Sequence, residues 1–255
     1  MSYSPWPVLA GLSSFSLVGS AVAWFHGWGT VERCGLALVL LGIISASWWR
    51  DVIRESTFQG EHTQKEQKAL WVGFVLFVCS EVMLFFSFFW AFFHSSLSPT
   101  VEIGCYWPPA GIKPISPWRA PLTMTAILVC SGMLANWSMH SVKSNNKGEA
   151  LVSMLMTISL GWLFTTFQLL EYYESAFTFR DSVYGSVFFL ITGFHGLHVI
   201  AGTIFLMVQC DRMRKYHFST GHHLGLEFSV WYWHFVDVIW LFVVSLLYVW
   251  GGMIY

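Results

Sequence analysis

The sequence predicts an all-α polytopic membrane protein with seven transmembrane helices, and three observations carry that prediction. Hydrophobic residues make up 55% of the chain and charged residues only 11%, whereas a soluble domain carries roughly 25% charged residues. Seven apolar stretches alternate with polar or proline-bearing loops, and about 20 apolar residues suffice to cross the hydrocarbon core as a helix. No lysine or arginine lies at the centre of any stretch, where such a charge would be costly.

The first stretch, residues 8–28, follows Pro5 and Pro7, which suit a helix start. His26 and Trp28 near its end suit a membrane interface. The second, residues 34–49, is short for a crossing, so the helix is expected to continue through RDVIRES at 50–56. Trp48 and Trp49 mark an interface there, and the charges follow. On a helix Arg50 and Arg54 share a face, and Asp51 and Glu55 form the neighbouring row. Local ion pairs at a solvated helix end account for this pattern. So does a lipid phosphate site, with arginine supplying paired donors beside the indoles. Residues 57–68 are the most polar part of the chain and are expected to form a loop and the solvated start of the third helix. His62 within them suits a headgroup contact better than a metal.

The third stretch, residues 69–93, has one charged side chain, Glu81, at its middle. A carboxylate at that depth costs about 2.5–3.5 kcal/mol on insertion scales, so it faces protein or water and often marks a functional site. The alternative is a protonated carboxyl that only fixes helix packing. Glu81 is expected to be neutral at pH 7 and to hydrogen-bond a polar group such as His198 or His195 across the bundle. Residues 98–120 contain Pro99, Pro108, Pro109, Pro114 and Pro117, which exclude a helix or a central strand.

The fourth stretch, residues 121–139, has Asn136 and His140 near its end. The fifth, 150–170, runs into EYYE, where Glu171 and Glu174 are expected to face interfacial water. The sixth, 183–210, carries His195 and His198 three residues apart on nearly one side. Two such histidines can be metal ligands or neutral hydrogen-bonding groups between helices. A metal site needs more ligands than these, since catalytic zinc typically takes three from protein. The seventh, 226–250, contains His234 and Asp237, expected as a buried pair that makes both tolerable in lipid.

Several function classes are excluded. Net charge is −1, so no basic field exists to hold nucleic acid. All six lysines lie in loops, which rules out a mid-membrane Schiff base. The phosphate-cradling, nucleophile-elbow and zinc-protease motifs are missing. The five cysteines (34, 79, 105, 130 and 210) form no metal-ligand spacing and read as packed thiols. Residues 1–7 lack a basic n-region, so insertion without a cleaved address is expected. Loops two–three, four–five and six–seven carry nine Lys and Arg, and the other loops four. That bias places the N-terminus inside and the C-terminus outside.

Long motifs run through the chain: SPWP at 4–7, WWRDVIRESTFQG at 48–60, SEV at 80–82, FWAFFHSSL at 89–97, WPPAGI at 107–112 and EYYE at 171–174. GFHGLHVI at 193–200 and WYWHFVDV at 231–238 complete the set. On these the chain resembles the third-subunit family of cytochrome c oxidase, the proton-pumping respiratory terminal oxidase. The resemblance implies that helices one and two splay from a bundle of helices three to seven around a lipid-filled cleft. The expected division is therefore residues 1–58 and 59–255. It implies a non-redox subunit that binds no haem, copper or other metal, those cofactors belonging to the first and second subunits. Its expected partners are those subunits, accessory subunits and structural phospholipids, with no nucleic acid. Its expected location is the mitochondrial inner membrane, with the N-terminus in the matrix and the C-terminus in the intermembrane space.

The resemblance further implies that the subunit packs against the first subunit and supports sustained proton uptake and turnover, and that Glu81 takes the place of the family's buried helix-three carboxyl. It also implies that Trp48, Trp49, Arg54, Glu55 and His62 lie on the cleft side, and that Arg212, Lys215 and His217 form a basic cluster meeting lipid headgroups.

Overall fold

The computed structural model describes residues 4–252. The first three residues of the expected leaderless start lie outside the described residues, as do the last three of the chain. Among the described residues seven helices are long and apolar enough to cross a membrane: α1 (Trp6–Phe25), α2 (Val31–Arg54), α3 (Gln64–Leu97), α4 (Ala120–Lys143), α5 (Lys147–Glu174), α6 (Val183–Arg214) and α7 (Leu224–Val243). The described residues contain no strand.

The chain divides into two compact units, one ending at Trp71 and the other beginning at Val72. In the first unit α1 and α2 pack as a hairpin. Only Ser13 of α1 and Ala37 and Ile44 of α2 are buried, and apolar side chains such as Phe15 and Leu36 are left outward, as lipid allows. The indole Nε1 of Trp6 donates to Asp51 Oδ2 at 2.9 Å and ties the start of α1 to the end of α2. The second helix begins at Val31, three residues before the expected Cys34, because Thr30 is extended and Val31 opens the turn. It does continue through residues 50–56, closing in a π-helical turn, Glu55–Gln59. The polar run 57–68 is accordingly mostly helical and not a long loop: only residues 60–63 separate that turn from α3. Gly60, at a φ of 68°, makes the turn.

In the second unit the core forms where α5, α6 and α7 converge on Trp233, which is fully buried. A Cβ at Gly161 would lie 2.9 Å from Trp233 Cη2, and one at Gly202 3.0 Å from its Cε3. Bare backbone at these two positions therefore admits the indole. Its Nε1 donates to Ser131 Oγ on α4 at 2.9 Å. Ser138 Oγ of α4 donates to the Ala150 carbonyl of α5 at 2.9 Å. Small residues and short hydroxyls at helix contacts are what packing in lipid selects, since apolar attraction alone does not distinguish a neighbour helix from an acyl chain. The segment between α3 and α4 holds a single 3-10 turn, Val101–Ile103, and its Trp107 is buried against Phe92 and Tyr184. The last helix ends in a π-helical segment, Val244–Trp250.

Candidate functional site

Glu81 is the eighteenth of the 34 residues of α3, and His198 the sixteenth of the 32 of α6. Both helices thus bring a polar group to their midpoints. The two side chains meet there, with His198 Nε2 2.8 Å from Glu81 Oε2. His198 Nδ1 lies 2.6 Å from the Phe194 carbonyl. A carbonyl oxygen only accepts, so Nδ1 carries a hydrogen and donates it. The Nε2–Oε2 contact then needs one hydrogen of its own, because two lone pairs facing at that distance would repel. With that hydrogen in place the pair carries no net charge, whichever atom holds it. This is how a carboxyl and an imidazole coexist at bilayer depth. Phe85, Tyr232 and Phe235 surround the imidazole, and the side chains remain 12% and 21% exposed for His198 and Glu81.

His195 does not join this pair. It is fully buried between Phe164 and Trp240 and donates from Nε2 to the Val236 carbonyl of α7 at 3.3 Å. Three residues of helix rotate it away from α3 and toward α7. Among the described residues no group of three or more His, Cys, Asp or Glu is arranged to hold a metal ion.

Two sequence expectations need correction. Glu171 does not face water: it is buried, and Tyr248 Oη donates to its Oε2 at 2.5 Å, with Gln168 Nε2 donating at 3.4 Å. The π-helical end of the last helix brings Tyr248 to it, a long-range contact that the EYYE motif does not encode. His234 is not buried with Asp237. Its side chain is 39% exposed and its Nδ1 stands 3.6 Å from Asp237 Oδ2, while its Nε2 donates to Asn136 Oδ1 of α4 at 2.9 Å.

The residues expected at lipid sites fall into two groups, one in each unit. In the first unit, Arg54 and Glu55 line a cavity of about 270 Å³ with Ser4, Pro5, Trp6, Asp51 and Gln59. Arg50 pairs with its neighbour Asp51 at 3.1 Å, whereas Arg54 is exposed and has no carboxylate within ion-pair distance among the described residues. Trp49 lies open and Trp48 is half-buried on the same helix, and the His62 carbonyl accepts from Gln67 Nε2.

In the second unit Arg212 is buried, bonded to Gln209 Oε1 at 3.2 Å and stacked on Phe218 at 4.6 Å. It too lacks a carboxylate at ion-pair distance among the described residues. Lys215 is engaged by Asp211 at 2.6 Å. Desolvation, then the neighbouring Arg212 and Lys215 charges, push the His217 ring below its ordinary value. Arg212 is therefore the buried cation of this corner without a carboxylate partner, and Arg214, which is exposed, likewise has none among the described residues.

Comparison with known proteins gives one consistent result. A family model described as Cytochrome c oxidase subunit III matches residues 1–252. A relative from Pisaster ochraceus named Cytochrome c oxidase subunit 3 is 51% identical over 249 residues, 98% of this chain and 95% of its own. One of the same name from Heterololigo bleekeri is 50% identical over 253 residues, 99% of this chain and 97% of its own. Another, from Coturnix japonica, is 48% identical over 249 residues, with shares of 98% and 95%.

Proposed function

The chain belongs to the cytochrome c oxidase subunit III family and is a subunit of the respiratory terminal oxidase; on that premise we propose that it serves the complex without redox centres of its own. Haem and copper belong to the first and second subunits, which are its partners together with accessory subunits. This subunit supplies a neutral, proton-holding pair in the membrane and seats for anionic phospholipid. The observation that carries this reading is the 2.8 Å contact between Glu81 and His198 at the midpoints of two membrane helices. A pair holding one hydrogen in a short bond is suited to keep proton supply to the complex steady over many turnovers.

Glu81→Gln tests it, because glutamine keeps the shape and a hydrogen bond but cannot ionise. The expected initial rate of oxygen consumption lies within about twofold of wild type, and activity falls off after fewer turnovers. Equal rate and equal persistence would leave Glu81 a packing group and end the reading.

The lipid seats rest on cationic groups without carboxylate partners at helix ends, Arg54 following Trp48 and Trp49 and Arg212 stacked on Phe218, a setting that favours phosphate. Native mass spectrometry of the complex is expected to find one anionic phospholipid fewer with Arg54→Ala, and likewise with Arg212→Ala. Undiminished lipid in both variants would remove the claim. Nine Lys and Arg on one set of loops against four on the other support an N-terminus in the matrix and a C-terminus in the intermembrane space of the mitochondrial inner membrane.

A further inference from the structure

Asp237 is the fourteenth of the 27 residues of the last apolar span, its midpoint, and Asn136 the seventeenth of the 24 residues of α4. At about 1.5 Å per residue, Asn136 stands roughly 7 Å from the middle of its helix, well inside a hydrocarbon core about 30 Å thick. Asn136 is nonetheless exposed, and the His234 side chain is 39% exposed. Both lie on the outer seam between α4 and α7.

The rest of the seam shows why this is not the wall of a water channel. Along α4 the outward residues beside Asn136 are Met133 and Trp137, and along α7 those beside His234 are Val238 and Leu241. Two hydrogen-bonding groups therefore stand among apolar neighbours at a depth where lipid offers them nothing, the next exposed polar residue on this face of α4, His140, lying a turn nearer the helix end. The structure takes trouble to bring them there. Gly132 leaves room for the carboxyl of Asp237, since a Cβ would lie 2.5 Å from Oδ2. The Asp237 carboxyl stands behind His234, and His234 donates to Asn136 Oδ1 at 2.9 Å. The amide oxygen is thus occupied. The amide NH2 of Asn136 has no acceptor among the described residues.

We propose that the α4–α7 seam at Asn136 and His234 is a docking surface for a membrane helix of a partner subunit, which presents an oxygen acceptor to the Asn136 NH2. The acceptor is a hydroxyl, an amide oxygen or an unpaired backbone carbonyl, each of which a membrane helix can offer. An acyl chain cannot accept this bond, and phosphate lies too shallow to reach it. The chemistry favours a different chain over a second copy, because two copies facing through this seam would bring donor to donor. The proposal rests on membership of the oxidase complex, which haem absorbance of the preparation reports separately.

A photo-crosslinking benzoylphenylalanine replacing Met133 tests it, leaving Asn136, His234 and Asp237 intact, with Leu155 on the outer side of α5 as the control position. Irradiated complex is expected to give an adduct between position 133 and a membrane helix of another subunit. Adducts to phospholipid alone, or to a second copy of this chain, would overturn the proposal. In parallel, Asn136→Leu is expected to release the chain from detergent-solubilised complex about threefold faster, the scale of one interhelical hydrogen bond in lipid. Release at the wild-type rate would overturn the assigned role of the amide.

Discussion

Replacing His198 by leucine is expected to cost the folded chain about 2–3 kcal/mol, and adding Glu81→Leu to return most of it. His198 Nε2 is the only hydrogen-bond partner of the Glu81 side chain among the described residues. Leucine fills the pocket between Phe85 and Phe235 but strands the carboxyl at the middle of α3. Neutral interhelical bonds in lipid are worth up to about 1.7 kcal/mol, because the separated helices also find partners. Breaking a fully buried ionisable pair costs about 3–5 kcal/mol. The present pair falls between these limits, since the bond is short and joins two ionisable groups but the side chains keep 12% and 21% exposure. Removing both groups leaves no orphan, which is why the double variant recovers. Resistance of the purified complex to unfolding by a denaturing detergent, measured as a double-mutant cycle, gives the coupling directly. A coupling near zero would mean that the two groups do not depend on each other.

Trp233→Ala is expected to destabilise the second unit by about 3 kcal/mol, the low end of the range for emptying a buried tryptophan site. In lipid the transfer part of that range shrinks, because the separated helices stay in an apolar solvent. The cavity remains, and it opens where Gly161, Gly202 and Ser131 close on the indole from three helices. Trp233→Phe keeps most of the contact and loses the bond to Ser131, for about 1 kcal/mol. Thermal midpoints of the complex, followed by retention of this chain, separate the two. Trp162→Ala, on an exposed tryptophan of α5, is the control, and a Trp233→Ala midpoint equal to it would overturn the packing argument.

The amino-acid sequence by itself determined the helices, because length and hydrophobicity are local properties that lipid reads directly. It singled out Glu81 for the same reason, as the only charged side chain of residues 69–93. Long motifs carried the family. Which side chains meet was decided by the tertiary structure alone. Spacing puts His195 and His198 on nearly one side of their own helix, yet one reaches α3 and the other α7. The bundle decides this through where neighbouring axes lie, and glycines such as Gly161 and Gly202 set those positions by what they omit. EYYE reads as a wet helix end, but packing delivers Tyr248 from 77 residues away to bury Glu171. His234 and Asp237 read as a closed pair within one helix, but α4 supplies Asn136 and draws the imidazole outward. Periodicity names the face a residue occupies on its own helix. It carries no information about what other helix covers that face, and in a membrane protein that neighbour decides whether a polar group is stranded or satisfied.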